Sequence, residues 1–310
     1  MIERKHRQYG NLVFDRDAIV RAALRAYVEA IAGGHPFNRL SFASCDEPRW
    51  TGDLQRGAFF NGGGSGDYNV VGWTEAGVVG LAYELGWGPI EHLDLPVSAV
   101  TGGPDDVRGA LPGLPTELEP ALVHAAGMLL TGERKRGDVY VKEKLAGVGF
   151  WLLGDQVAGT LFDDPVDVGA SQLAMWGLLQ GGRLLPGAAI FSNPQNRAVV
   201  AECARNQAPI HALMDRVVDR RLGGPTEFTA DEVAMLFPTP PQPEALLGVQ
   251  HLLQKMGITW PGSPELPKLP LPRQPRINPF TGQPMAIVED ESLHDMTALA
   301  LAQGYSLRRK

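Results

Sequence analysis

Cysteine is nearly absent from this sequence of 310 residues: Cys45 and Cys203 are its two, far apart and in no CxxC spacing. Two isolated thiols build neither a disulfide framework nor a zinc site, and they suit a reducing compartment. No stretch approaches the ~20 apolar residues of a membrane span. The opening Met1-Ile2-Glu3-Arg4-Lys5-His6-Arg7 runs into polar residues without the apolar core of a secretory leader. The expectation is a cytoplasmic chain that touches no membrane. A basic face is missing too. The net charge is −7 and Lys and Arg are scattered, which argues against a nucleic-acid partner. The densest basic stretch, Arg134-Lys135-Arg136 with Lys142 and Lys144, is diluted by Glu133, Asp138 and Glu143 and reads as a solvated loop and strand edge.

Chemical motifs are equally scarce. His6, His35, His92, His124, His211, His251 and His294 are singletons, with no HxH or HxxxH pair to share a metal. The glycines of Gly62-Gly63-Gly64-Ser65-Gly66 follow Phe59-Phe60 and precede a strand pattern, whereas phosphate cradles open a helix. No Lys-Ser or Lys-Thr follows them. No cofactor or metal is therefore expected. Asp105-Asp106, Asp163-Asp164 and Glu289-Asp290-Glu291 are adjacent acids, which point apart in regular structure and suit turns better than paired acid/base work. The carboxylates of Asp46 and Glu47 disfavour a thiolate at Cys45, and Cys203 falls among apolar residues at helical spacing. No catalytic residue is assigned.

What is present is the material of a globular protein. Hydrophobic residues are 44% of the chain and charged ones 20%, enough for one large core or two ordinary ones. Ile19, Ala22, Ala23, Ala26, Tyr27, Ala30 and Ile31 recur at helical spacing over 15–32, with Asp15 as a cap and Gly33-Gly34 as a stop. Residues 40–43 read as a short strand and 59–67 as a glycine loop. Strand patterns at 68–73 and 78–83 flank Thr74-Glu75-Ala76-Gly77, a hairpin turn in which Gly77 suits a positive φ. A second hairpin is expected over 148–153 and 157–162 around Gly154-Asp155. Its returning strand matches 78–84 at a valine, a glycine, an aromatic and an acid, an internal duplication or merely the shared grammar of hairpins. Helices are expected at 168–180, at 196–222 with an interruption near Pro209, at 231–237 behind a Thr229 cap, and at 244–256. Prolines crowd 238–243 and 261–275, of which 264–275 should run extended along the surface or between lobes as a strap or linker, and a Pro/Gly turn, a short strand and a polar helix close the chain. The fold class is α+β: antiparallel hairpins packed with helices in the N-terminal half, a helix-rich C-terminal half and a proline-rich strap. The divisions expected are 1–165, 166–260 and 261–310, or one continuous domain.

The loop Gly62-Gly63-Gly64-Ser65-Gly66-Asp67 feeding Trp73-Thr74-Glu75-Ala76-Gly77, with the late turn Asn278-Pro279-Phe280-Thr281-Gly282-Gln283-Pro284, resembles pieces of uncharacterised and immunity-type proteins from bacterial polymorphic-toxin neighbourhoods. The resemblance covers those short stretches and carries no catalytic residue. It implies an acidic, soluble, stoichiometric binder that neutralises a toxin. Aromatic and acidic surfaces suit a basic protein partner, so Trp73, Glu75, Glu84, Trp87, Asp163 and Asp164 are the candidate partner-binding residues. The first expectation is a non-enzymatic protein-binding protein. Its rivals are a hydrolase assembled from distant residues, such as Cys45 with His35 or His92, and an assembly component joined to a partner subunit by the proline strap.

Overall fold

The computed structural model describes residues 15–32, 48–62, 66, 68–83, 88–162, 194–238, 242–262 and 291–302. The fold is α+β. The chain divides into two compact units, one of residues 1–27 and 41–205, the other of 28–40 and 206–310. The divisions expected at 165 and 260 fall inside these spans.

The first unit is built on a six-stranded antiparallel sheet. Strands β1 (Arg49–Gly52), β2 (Gly57–Gly62), β3 (Tyr68–Trp73) and β4 (Gly77–Tyr83) run as a meander. The chain then leaves the sheet and returns as β7 (Val148–Leu153), which pairs with β4, and β8 (Gln156–Ala158). Between β4 and β7 lie α2 (Pro89–Leu93), 3-10 turns at Val97–Ala99 and Pro104–Ala110, α3 (Glu119–Met128), and a separate hairpin of β5 (Thr131–Arg136) and β6 (Val139–Lys144). Every residue of β2, β3 and β4 is buried, so both faces of the central strands are covered. That is why those strands read as continuous apolar runs rather than as alternating ones.

On one face Phe60, Val70, Val79 and Leu81 pack with Leu118, Leu122 and Ala125 of the α3 region. Gly72 permits this approach: a Cβ there would collide with the Ala121 carbonyl oxygen and stand 2.7 Å from the Ala125 nitrogen. On the other face Tyr27 of α1 (Arg16–Ala32) meets Trp50 and Phe59 at ring distances of 5.7 and 6.3 Å. Arg16 ties the start of α1 to the β3–β4 turn, its Nε donating to the Thr74 carbonyl at 2.7 Å.

Two details of the expected hairpins change. Gly77 is not at a positive φ. It is needed because β7 crosses so closely that a Cβ would strike the Leu152 carbonyl oxygen. The second hairpin turns at Gly154 (φ 59), but its returning strand stops at Ala158 and becomes a 3-10 turn at Thr160–Phe162 after Gly159 (φ 142). Residues 157–162 are thus a short edge, whereas their counterparts in β4 form a full central strand.

α4 (Pro194–Leu222) runs through Pro209 without the expected interruption, and from residue 206 onward it belongs to the second unit. β9 (Thr226–Glu227) pairs in parallel with β10 (Ile258–Thr259). α5 (Ala230–Leu236) starts at Thr229, whose hydroxyl accepts from Glu232 N at 3.2 Å while the Glu232 carboxylate accepts from Thr229 N at 2.9 Å. α6 (Pro243–Lys255) packs on α7 (Glu291–Ala302). Leu213, Val217, Phe228, Leu236, Leu252 and Leu301 are among its fully or nearly buried residues. Among the described residues no helix is long and apolar enough to cross a membrane. The expected strand at 40–43, helix at 168–180, proline strap and closing turn lie outside the described residues.

Candidate functional site

The hairpin β5–β6 stands apart from the six-stranded sheet, and its two sides do different things. Alternation puts Arg134, Arg136, Val141 and Glu143 on one side and Lys135, Tyr140 and Lys142 on the other. The first side faces inward. Glu143 has no exposure to solvent, and its Oε1 accepts from Arg136 Nη2 at 2.9 Å and stands 3.3 Å from Arg134 Nε. Arg136 also pairs with Glu91 of α2, and Arg134 donates to the Tyr83 hydroxyl at the end of β4. Gly88, just before α2, approaches so closely that a Cβ would lie 2.7 Å from Glu143 Oε1, and its N–H donates to Glu91 Oε2 at 3.1 Å. The stretch expected to be a solvated loop and strand edge is a strand pair in which Lys135 and Lys142 are exposed, while its inward arginines form an ion-paired clamp holding the hairpin to β4 and α2.

The clamp continues into an aromatic ladder. Tyr83 stacks with Tyr68 at 5.2 Å and Tyr68 with Phe60 at 4.9 Å, and the Arg49 guanidinium lies 3.7 Å from the Phe60 ring centroid. Tyr68 donates its hydroxyl hydrogen to the Leu145 carbonyl, and burial pushes its phenol well above the ordinary range. Charge and rings together fix where β6 sits.

What β6 presents is an edge. Among the described residues, no backbone hydrogen bond reaches 139–142 from any element other than β5. Along this edge runs a groove of 610 Å³ lined by Val97, Ser98, Val100 and Thr101 on one wall and by residues 139–142 on the other. Val139 is 50% exposed and Tyr140 75% exposed, high values for large apolar and aromatic side chains. The far wall is itself pinned. Asp106, 3% exposed, accepts from Thr101 N at 3.0 Å and from the Thr101 hydroxyl and Gly102 N. This is the turn chemistry expected of Asp105-Asp106. Gly102 (φ 78) brings that loop against the edge, where a Cβ would stand 3.1 Å from the Lys142 carbonyl oxygen. The groove is thus narrowed beside the Lys142 backbone, while Lys142 itself stays exposed in its lining.

Of the partner-binding residues chosen from sequence, Trp73 and Glu75 are among the described residues. Trp73 is fully buried, stacks 4.8 Å from Trp50 and donates its indole N–H to the Asp53 carbonyl at 3.0 Å, so it offers nothing to a partner. Its position at the end of a strand covered on both faces is the reason. Glu75 lies at the adjoining turn, half exposed and paired to Arg56 at 2.6 Å. The hydrogen bond from Arg56 holds its carboxyl below the usual range. Glu84, Trp87, Asp163 and Asp164 lie outside the described residues, as do Cys45 and His35. His92, on α2, packs its ring towards Gly147. Among the described residues no three His, Cys, Asp or Glu side chains gather as a metal site. No family model, curated protein or solved structure matches this chain.

Proposed function

We propose that this chain is a protein-binding protein without chemistry of its own, which takes an extended segment of its partner against the β6 edge. The observation that carries the reading is an edge strand that no strand other than β5 pairs among the described residues, beside an apolar groove, with Val139 and Tyr140 exposed and both walls held rigid by buried charge. Edge strands that are not capped are natural acceptors of another strand: main-chain hydrogen bonds give affinity and alternate side chains give selectivity. The clamp by Glu143 and the Asp106 turn supply preorganisation, which lowers the ordering cost of binding.

In biological terms the chain is a neutralising factor of the immunity type acting in the cytoplasm. That part rests on the resemblance of its loop and turn sequences and on the two isolated cysteines. The net charge of −7 favours encounter with a basic partner at long range. The test is capture by the purified chain from lysate of its own source, run beside a Tyr140→Asp variant. A partner kept by the parent chain and lost by the variant supports the reading. One held equally by both removes β6 as the contact, and none with either chain turns the search to enzymatic activity.

A further inference from the structure

We infer that the β6 groove selects a short extended segment with apolar residues at alternate positions and a carboxylate at the end that meets Lys142. The inference rests on the reading of β6 as the docking edge and adds the chemistry of what docks. A strand laid beside β6 places its residues in register with 139–142, and its side chains follow the same alternation. Those level with Val139 and Val141 face the apolar wall of Val97 and Val100, so valine or isoleucine suits them. Among the described residues Lys142 is the one charged side chain that lines the groove. It is exposed, and no ion pair or hydrogen bond occupies its ammonium among the described residues. Glu133, opposite it on β5, makes no ion pair with it although the two are in register.

The Gly102 loop crowds the edge at Lys142, where a Cβ on the glycine would stand 3.1 Å from the Lys142 carbonyl oxygen, so the inferred backbone pairing is confined to 139–141. The lysine is therefore met by a side chain and not by a continuing strand. That arrangement commits the end residue to a charge of opposite sign. A lysine on an edge also disfavours pairing with a chain that is neutral or basic there.

The probe is an eight-residue peptide with two alternating valines followed by glutamate, compared with the same peptide carrying glutamine or lysine in that place. Each is titrated into the full chain, following the backbone amide signals of residues 139–142. The glutamate peptide is expected to shift these signals and to bind about fivefold more tightly than the glutamine peptide, the size of one cross-strand ion pair. Lys142→Glu should reverse the order, so that the lysine peptide becomes the tightest. Equal affinity of all three peptides, unchanged by Lys142→Glu, overturns the charge selection while leaving β6 as the docking edge. No shift at 139–142 with any peptide overturns the edge itself. A concentration-dependent dimer of the chain alone that Tyr140→Asp abolishes assigns the groove to a second copy and overturns the acidic segment.

Discussion

Glu143→Gln tests the clamp on which the presented edge depends. The substitution keeps the shape of the side chain and one oxygen to accept from Arg136, but it removes the negative charge between two guanidinium groups. In a fully dry site, removing one partner of a buried ion pair costs about 3–5 kcal/mol, because the other charge is left uncompensated. Here the cost is smaller for two reasons. The arginine side chains are 23% and 14% exposed, and Arg136 keeps Glu91. About 2 kcal/mol remains, which for a unit of this size lowers the melting temperature by about 4–8 °C. The assay is urea and thermal unfolding followed by tryptophan fluorescence, with Arg136→Met and the double variant closing a cycle. The double variant should be less destabilised than the sum of the two singles, since removing both charges leaves none stranded. Amide hydrogen exchange across 139–144 should rise in Glu143→Gln while that of β2 and β3 stays slow. A loss below 0.5 kcal/mol, or a cycle that adds up with no coupling, would refute the argument that buried charge fixes the hairpin.

Gly72→Ala is expected to cost about 2 kcal/mol or more, since the new methyl meets the backbone of α3 and not a side chain that can swing away; chemical denaturation measures it, and a neutral result would show that α3 lifts freely. Asn61 and Asn69 are partners in register and fully buried, and among the described residues neither side-chain amide has a hydrogen bond, so replacing both with valine should leave stability unchanged or raise it by about 1–2 kcal/mol, whereas a loss above 1 kcal/mol would mean the amides are satisfied in solution. Glu232 is held below the usual carboxylate range, first by the hydrogen bond from Arg220 at 2.9 and 2.8 Å, and against the opposing effect of burial. A depressed carboxyl contributes stability that is present above its unfolded value and lost as pH falls through the folded one. The second unit should therefore weaken below about pH 4; Glu232→Gln should be less stable at neutral pH and show a flatter acid limb, and an unchanged limb by calorimetry would contradict the assignment.

Periodicity carried much of the first unit's core. The 68–73 and 78–83 strands, the helix from 16, the Thr229 cap and the Asp106 turn all follow from local patterns of apolar, polar and turn residues, and local patterns are what a sequence displays. Closeness between distant backbones is not displayed. The need for Gly77 comes from Leu152, and that for Gly72 from Ala121 and Ala125, so a turn rule assigns the first glycine the wrong reason. Trp73 likewise looks like an anchor for a partner until both faces of its strand are known to be covered.

The candidate site shows the same division within one strand. Val139, Val141 and Glu143 fall at alternate positions, and an acid that continues an apolar face is the signal of a buried charge. Arg134 and Arg136 repeat that parity on the facing strand, so the pair of strands contains its own counter-ions. Reading the five basic residues of 134–144 together hides this, because three of them point one way and two the other. Once they are sorted by side, the inward charges account for the rigidity of the hairpin. Of the outward ones, Lys142 is the only unpaired charge in the groove among the described residues. Anchoring and recognition therefore share six residues of β6 without sharing a side chain. A change at Glu143 should loosen the edge without altering which segment it prefers, and a change at Lys142 should do the reverse.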